Sequence, residues 1–157
     1  MPGAVLAPAL VLAVALAPPA RSAEPCTELT ALVDAAGADF PNGGAAPEER
    51  ETSPLLRDAE TCAVTTAISG RREYHCAWVF PYRAVDALAA FDSLNGVIEQ
   101  CFPKHGPVET DQGVNHPDFY DLRQYPLDRA DLSVSLKDKV ALQKTYVFLR
   151  IRSTDPE

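Results

Sequence analysis

The chain reads as an α+β protein. We expect an antiparallel sheet of about five strands with two main helices packed on one face, in the order α-β-β-α-β-β-β. Three observations carry this reading. Tyr74, Cys76, Trp78 and Phe80 alternate with other residues, the period of a strand. Downstream, from about Tyr82 to Cys101, Ala84, Leu88, Phe91, Leu94, Ile98 and Cys101 recur at threes and fours, which makes one apolar helical stripe. Strand-like runs are separated by helices and joined within each run by hairpin-length turns, which suits antiparallel pairing with the helices gathered on one side.

The elements follow in order. A first helix is expected from Thr27 to about Asp39, with Thr27 as its N-cap and Glu28 at the positive end of its dipole. Leu29, Leu32, Val33, Ala36 and Phe40 form its buried face, and Pro41 stops it. From 41 to 60 the glycines, the prolines and the charge run Glu48-Glu49-Arg50-Glu51 offer little to bury, so a flexible loop is expected, with a short turn at Leu55-Leu56. Strand one should run from Cys62 to Ile68, turn at Ser69-Gly70, and pair with strand two, Tyr74 to Phe80. The helix from about Tyr82 ends near Cys101-Phe102-Pro103, and 104–113 reads as a loop. Strands are expected at Phe119 to Tyr125, Asp131 to Leu136 and Ala141 to Arg152. In the last, Val147, Leu149 and Ile151 take one face, while Tyr146, Phe148, Arg150 and Arg152 take the other.

The first stretch has a different character. Val5 to Ala17 is apolar apart from Pro8, and Ala20-Arg21-Ser22-Ala23 supplies small residues for cleavage. The run is short for a bilayer span and fits the core of a secretory signal, although no Lys or Arg precedes it. We therefore expect residues 1–23 to be a signal peptide and 24–157 to be one disulfide-stabilised domain. The expected location is the periplasm or the extracellular space, with no stable membrane insertion after cleavage.

Cysteine usage points the same way. Cys26, Cys62, Cys76 and Cys101 all lie beyond the signal, and an even count in an exported domain reads as two disulfides. If strands one and two form a hairpin, Cys62 and Cys76 share a face and fall nearly opposite each other. That leaves Cys26 and Cys101 as the second pair, which ties the start of helix one to the end of helix two.

The 157 residues, 46% of them hydrophobic, suffice for one core. The net charge is −8, and Lys and Arg form no run, so a nucleic-acid role has no electrostatic basis. An acidic surface favours a cationic protein partner.

Specific chemistry is hard to find. The histidines are His75, His105 and His116. The last two lie in or beside a loop with Glu109 and Asp111, followed by Asp118 and Asp121, but the spacing matches no metal or nucleophile motif. No cofactor, metal or catalytic residue is assigned. The expectation is a small exported binding or accessory protein of the cell envelope, inhibitor- or chaperone-like and non-catalytic. Trp78, Tyr74, Tyr146 and Phe148 are the candidate binding residues, although aromatics on one strand face usually serve a core. The alternatives are a small hydrolase using a His/Asp site in the 105–121 region, and a small-ligand carrier with an apolar cavity behind Trp78.

Overall fold

A computed structural model describes residues 25–41, 53–112, 114–115 and 118–154. The expected signal segment 1–23, residues 42–52 of the expected loop and His116 lie outside the described residues.

Two helices and an antiparallel sheet make an α+β fold, as the sequence predicts. The elements are α1 (Pro25–Gly37), β1 (Thr61–Thr66), β2 (Arg72–Pro81), α2 (Val85–Cys101), β3 (Glu109–Asp111), β4 (Val114–Asn115), β5 (Asp118–Pro126), β6 (Ala130–Lys139) and β7 (Lys144–Ser153). Six strands lie in the order β1-β2-β7-β6-β5-β3, and the two-residue β4 pairs with β5. The sheet therefore has more strands than the five expected. The additions are β3 and β4, which are too short and polar to show a period.

Burial follows strand alternation. Tyr74, Cys76 and Trp78 of β2, Leu132, Val134 and Leu136 of β6, and Val147, Leu149 and Ile151 of β7 all point into one core. Both helices cover that face. α1 contributes Leu29, Leu32, Val33 and Ala36, and α2 contributes Ala87, Phe91, Leu94 and Ile98. Removing this much apolar surface from water is the main stabilising force of the domain.

Four expectations need correction. Leu88 lies outside the core, 52% exposed, and Ala87 takes its place. The helix begins at Val85 with Ala84 as its N-cap, not near Tyr82, because Arg83 adopts a left-handed φ of 56° that no helix interior accepts. Ile68 is fully exposed, because the hydrogen bond from the Ala67 N–H to the Arg71 carbonyl (2.7 Å) has already closed the turn after Thr66. Finally, the described end of the expected flexible loop is packed. Ser53 Oγ accepts from the N–H groups of Leu55 (3.1 Å) and Leu56 (2.7 Å), and both leucines are buried.

Two disulfides fasten the layers. Cys62 and Cys76 are cross-strand partners in the β1–β2 register and are bonded to each other. The bond between Cys26 and Cys101 joins the first turn of α1 to the last residue of α2. The hairpin pairing agrees with strand parity, and Cys26–Cys101 is the pair that parity leaves over. No described helix is long and apolar enough to cross a membrane.

Candidate functional site

Among the described residues, the helices cover one face of the sheet and leave the other open. Strand register fixes what lies there. His75 on β2 is beside Arg150 on β7, then Ser133 on β6 and Gln124 on β5. The next row is Ala77, Phe148, Ser135 and Leu122, and the third is Val79, Tyr146, Lys137 and Tyr120. Every second residue of each strand faces this way, because its neighbours are committed to the core.

The aromatic side chains on this face touch one another. Phe148 stacks on Tyr146 with ring centroids 5.8 Å apart and planes within 3°. His75 stacks in turn against Phe148, at 5.9 Å. The result is a half-buried column of three rings. Ser133 and Ser135 beside it are short, so the surface dips into a shallow groove of about 190 Å³ bounded by Phe148, Tyr120 and Lys137. Lys137 Nζ lies 5.9 Å from the Tyr120 ring centroid. Burial, and then the Asp111 carboxylate, push the Tyr120 phenol above its ordinary range. At the far end of the face, Arg152 pairs with Asp131 (3.1 Å), and Arg150 lies 3.6 Å from Glu73.

The four aromatic candidates divide. Tyr146 and Phe148 sit at the centre of the open face. Tyr74 and Trp78 are core side chains, 0% and 6% exposed, and present no surface to a partner. Trp78 Nε1 donates to the Arg57 carbonyl at 3.0 Å, which clamps the 54–58 turn to the sheet. Trp78 belongs to the hydrophobic core cluster.

An apolar groove of about 350 Å³ does exist elsewhere, under the first turn of α2. Its walls are Ala84, Ala87, Leu88, Phe119 and Leu136. At its base the Arg83 N–H donates to Thr145 Oγ1 (2.8 Å), which donates to Asp138 Oδ1 (2.6 Å), and Arg83 Nε donates to Asp138 Oδ2 (3.1 Å). This closed set of bonds satisfies the buried Asp138 carboxylate and holds Arg83 in its left-handed conformation.

The described polar residues of the 105–121 region have different partners. His105 Nδ1 lies 2.6 Å from the Gly106 carbonyl, and its ring meets Tyr125 edge-on. Asp111 is exposed on β3. Asp118 accepts from the Val140 N–H (2.8 Å), which holds its carboxyl below the ordinary range, and Lys139 adds to this. Asp121 is buried and accepts from Gln112 Nε2 at 3.1 Å, while its other carboxylate oxygen is buried with no hydrogen-bond partner among the described residues. Among the described residues, no three His, Cys, Asp or Glu side chains gather as metal ligands would.

A further polar cluster has no signal in the sequence. The Tyr125 hydroxyl, buried under α2, donates to Asn95 Oδ1 (2.8 Å) and lies 3.4 Å from Glu99 Oε1. Burial first, and then the Glu99 charge, push the Tyr125 phenol up to about 12. Asn95 looks like one polar residue among many on α2, and no sequence pattern marks its partner.

No family model matches the chain, and no curated protein matches it in sequence.

Proposed function

We propose that the protein is a small exported binding protein of the cell envelope, and that its contact surface is the open face of the sheet. The observation that carries this reading is the stacked column of His75, Phe148 and Tyr146 beside the short floor of Ser133 and Ser135. Stacked aromatics bury area on binding at little entropic cost, because their neighbours already restrain them. Tyr, Phe and Arg are enriched where interfaces concentrate their energy, and serine hydroxyls add adaptable hydrogen bonds. Six strands at about 4.8 Å spacing give a face roughly 24 Å wide, which suits a macromolecular segment better than a small molecule. Export rests on the apolar leader and on the two disulfides. An inhibitor-like or chaperone-like role fits such a surface.

The test is capture from envelope extract by the tagged mature chain and by a Tyr146→Ser/Phe148→Ser variant. The variant should fold, because both side chains lie on the face away from the core, and it should lose the captured protein. Equal capture by a folded variant sinks the proposal.

A second reading, a small-ligand carrier, is favoured by the groove under α2. The polar groups at its base bond one another, so an occupant there needs hydrocarbon and no hydrogen bonds. Ala87→Trp would fill the groove, and carrier activity predicts that this variant no longer retains a ligand that wild type carries through purification.

A further inference from the structure

The two sides of the domain differ in charge. Neither α1 nor α2 contains a Lys or Arg, and together they carry Glu28, Asp34, Asp86, Asp92 and Glu99. On the open face, Lys137, Lys139, Lys144, Arg150 and Arg152 are matched in number by Glu73, Glu109, Asp111, Asp118 and Asp131, but Glu109 and Asp111 lie out on the β3 edge, while Lys137, Lys139 and Lys144 gather on β6 and β7 around Tyr146. Ion pairs on that face join Lys139 to Asp118, Arg150 to Glu73 and Arg152 to Asp131. Lys137 and Lys144 make no ion pair among the described residues. Both flank Tyr146: Lys137 is its cross-strand partner, and Lys144 precedes it by two on the same face of β7.

From this we infer that the open face takes an acidic segment of a partner protein, with its carboxylates at Lys137 and Lys144 and its apolar or aromatic side chains against Tyr146 and Phe148. This rests on the open face being the contact surface. It assigns that surface a partner of opposite sign from the one suggested by the chain's net charge of −8. The net charge describes the whole molecule, whereas docking responds to the local field. The −8 is carried elsewhere, in part by the helical layer, so attraction for a cation belongs on that side. Paired ions attract a further charge weakly because their fields cancel, and Lys137, although it acts on Asp118 at longer range, shares with Lys144 the lack of a contact ion pair, which is why these two lysines locate the anion.

The probe is a fluorescein-labelled octapeptide of glutamate, with octalysine as its counterpart, titrated into the mature chain at low salt. Amide shifts map the contact. Octaglutamate should bind and shift β6 and β7 resonances around Lys137, Lys144 and Tyr146. Lys137→Glu/Lys144→Glu should weaken it about tenfold or more. Arg57→Glu/Lys104→Glu, the same charge change on exposed residues outside the sheet, should change it far less. Octaglutamate shifts confined to the helices, octalysine binding on the open face, or unchanged affinity in the Lys137→Glu/Lys144→Glu variant would each overturn the inference. So would retention by phosphatidylglycerol vesicles that is stronger than the peptide's and lost in the same variant, since that makes the anion a membrane. Loss of protein capture in the Tyr146→Ser/Phe148→Ser variant, alongside a negative octaglutamate result, would leave the contact surface standing and remove only its sign.

Discussion

Cutting the two disulfides separately should give unequal losses, and the structure says which is larger. The Cys26–Cys101 bridge spans 75 residues of sequence, and the Cys62–Cys76 bridge spans 14. Constraining the unfolded chain is worth about 4.5 kcal/mol for the longer loop and about 3 kcal/mol for the shorter. Packing could blur the comparison, because Cys76 is wholly buried. A cycle avoids this. In a Cys62→Ala/Cys76→Ala variant, adding reductant breaks only the long-range bridge, with no change of residue. In a Cys26→Ala/Cys101→Ala variant, it breaks only the hairpin bridge. Urea denaturation with and without reductant then reads each contribution. The longer bridge should be worth about 1.5 kcal/mol more. β1 is an edge strand bonded only to β2, so loss of the hairpin bridge should also speed amide exchange along Thr61–Thr66. A hairpin bridge worth as much as the long one, or stability indifferent to reductant in both variants, would refute the reasoning.

Two further outcomes follow from the core. Trp78→Ala should cost about 3–5 kcal/mol, because the ring is buried and its N–H holds the 54–58 turn; an unchanged urea midpoint would show that the ring is not in the core. The Tyr125 phenol keeps its proton up to about 12 in the folded state, against 10.0 for the ordinary group. Between those values the unfolded chain releases a proton that the folded one retains, so stability is full below about pH 10 and falls as pH rises toward about 12, by at most about 2–3 kcal/mol. Tyr125→Phe should flatten that part of the profile; denaturation at about pH 9 and about pH 11.5 decides, and an equally steep fall in the variant assigns it to other groups.

Much of the fold could be read from the sequence because burial repeats with the period of each element. The alternation in β2 and β7 sorts Tyr74, Cys76 and Trp78 inward, and Tyr146 and Phe148 outward. The same parity pairs Cys62 with Cys76. Periodicity fails where side chains stop deciding structure. Glu109-Thr110-Asp111 is exposed throughout, and β3 exists only through backbone bonding to β5, so no pattern announces it. Apolarity alone would turn Leu88 inward and Ala87 outward, the reverse of the phase that α2 takes. The left-handed turn at Arg83, held by Thr145 and Asp138 from the other end of the chain, sets the phase instead. The candidate site was half visible. Alternation showed that Tyr146 and Phe148 point the same way, but their stacking with His75, 71 residues before Tyr146 in the sequence, depends on β2 lying beside β7. The gathering of Lys137, Lys139 and Lys144 also needs the sheet, since these outward lysines come from different strands.

The most direct test places a photo-reactive benzoylphenylalanine at position 148, in the mature chain, and irradiates it in envelope extract. A second chain carries the same group at position 88, on the exposed flank of α2 and away from the open face. The account predicts one dominant cross-linked product from position 148, suppressed by excess unlabelled wild type and not by the Tyr146→Ser/Phe148→Ser variant, with no such product from position 88. A product from position 88 with none from position 148 would contradict it.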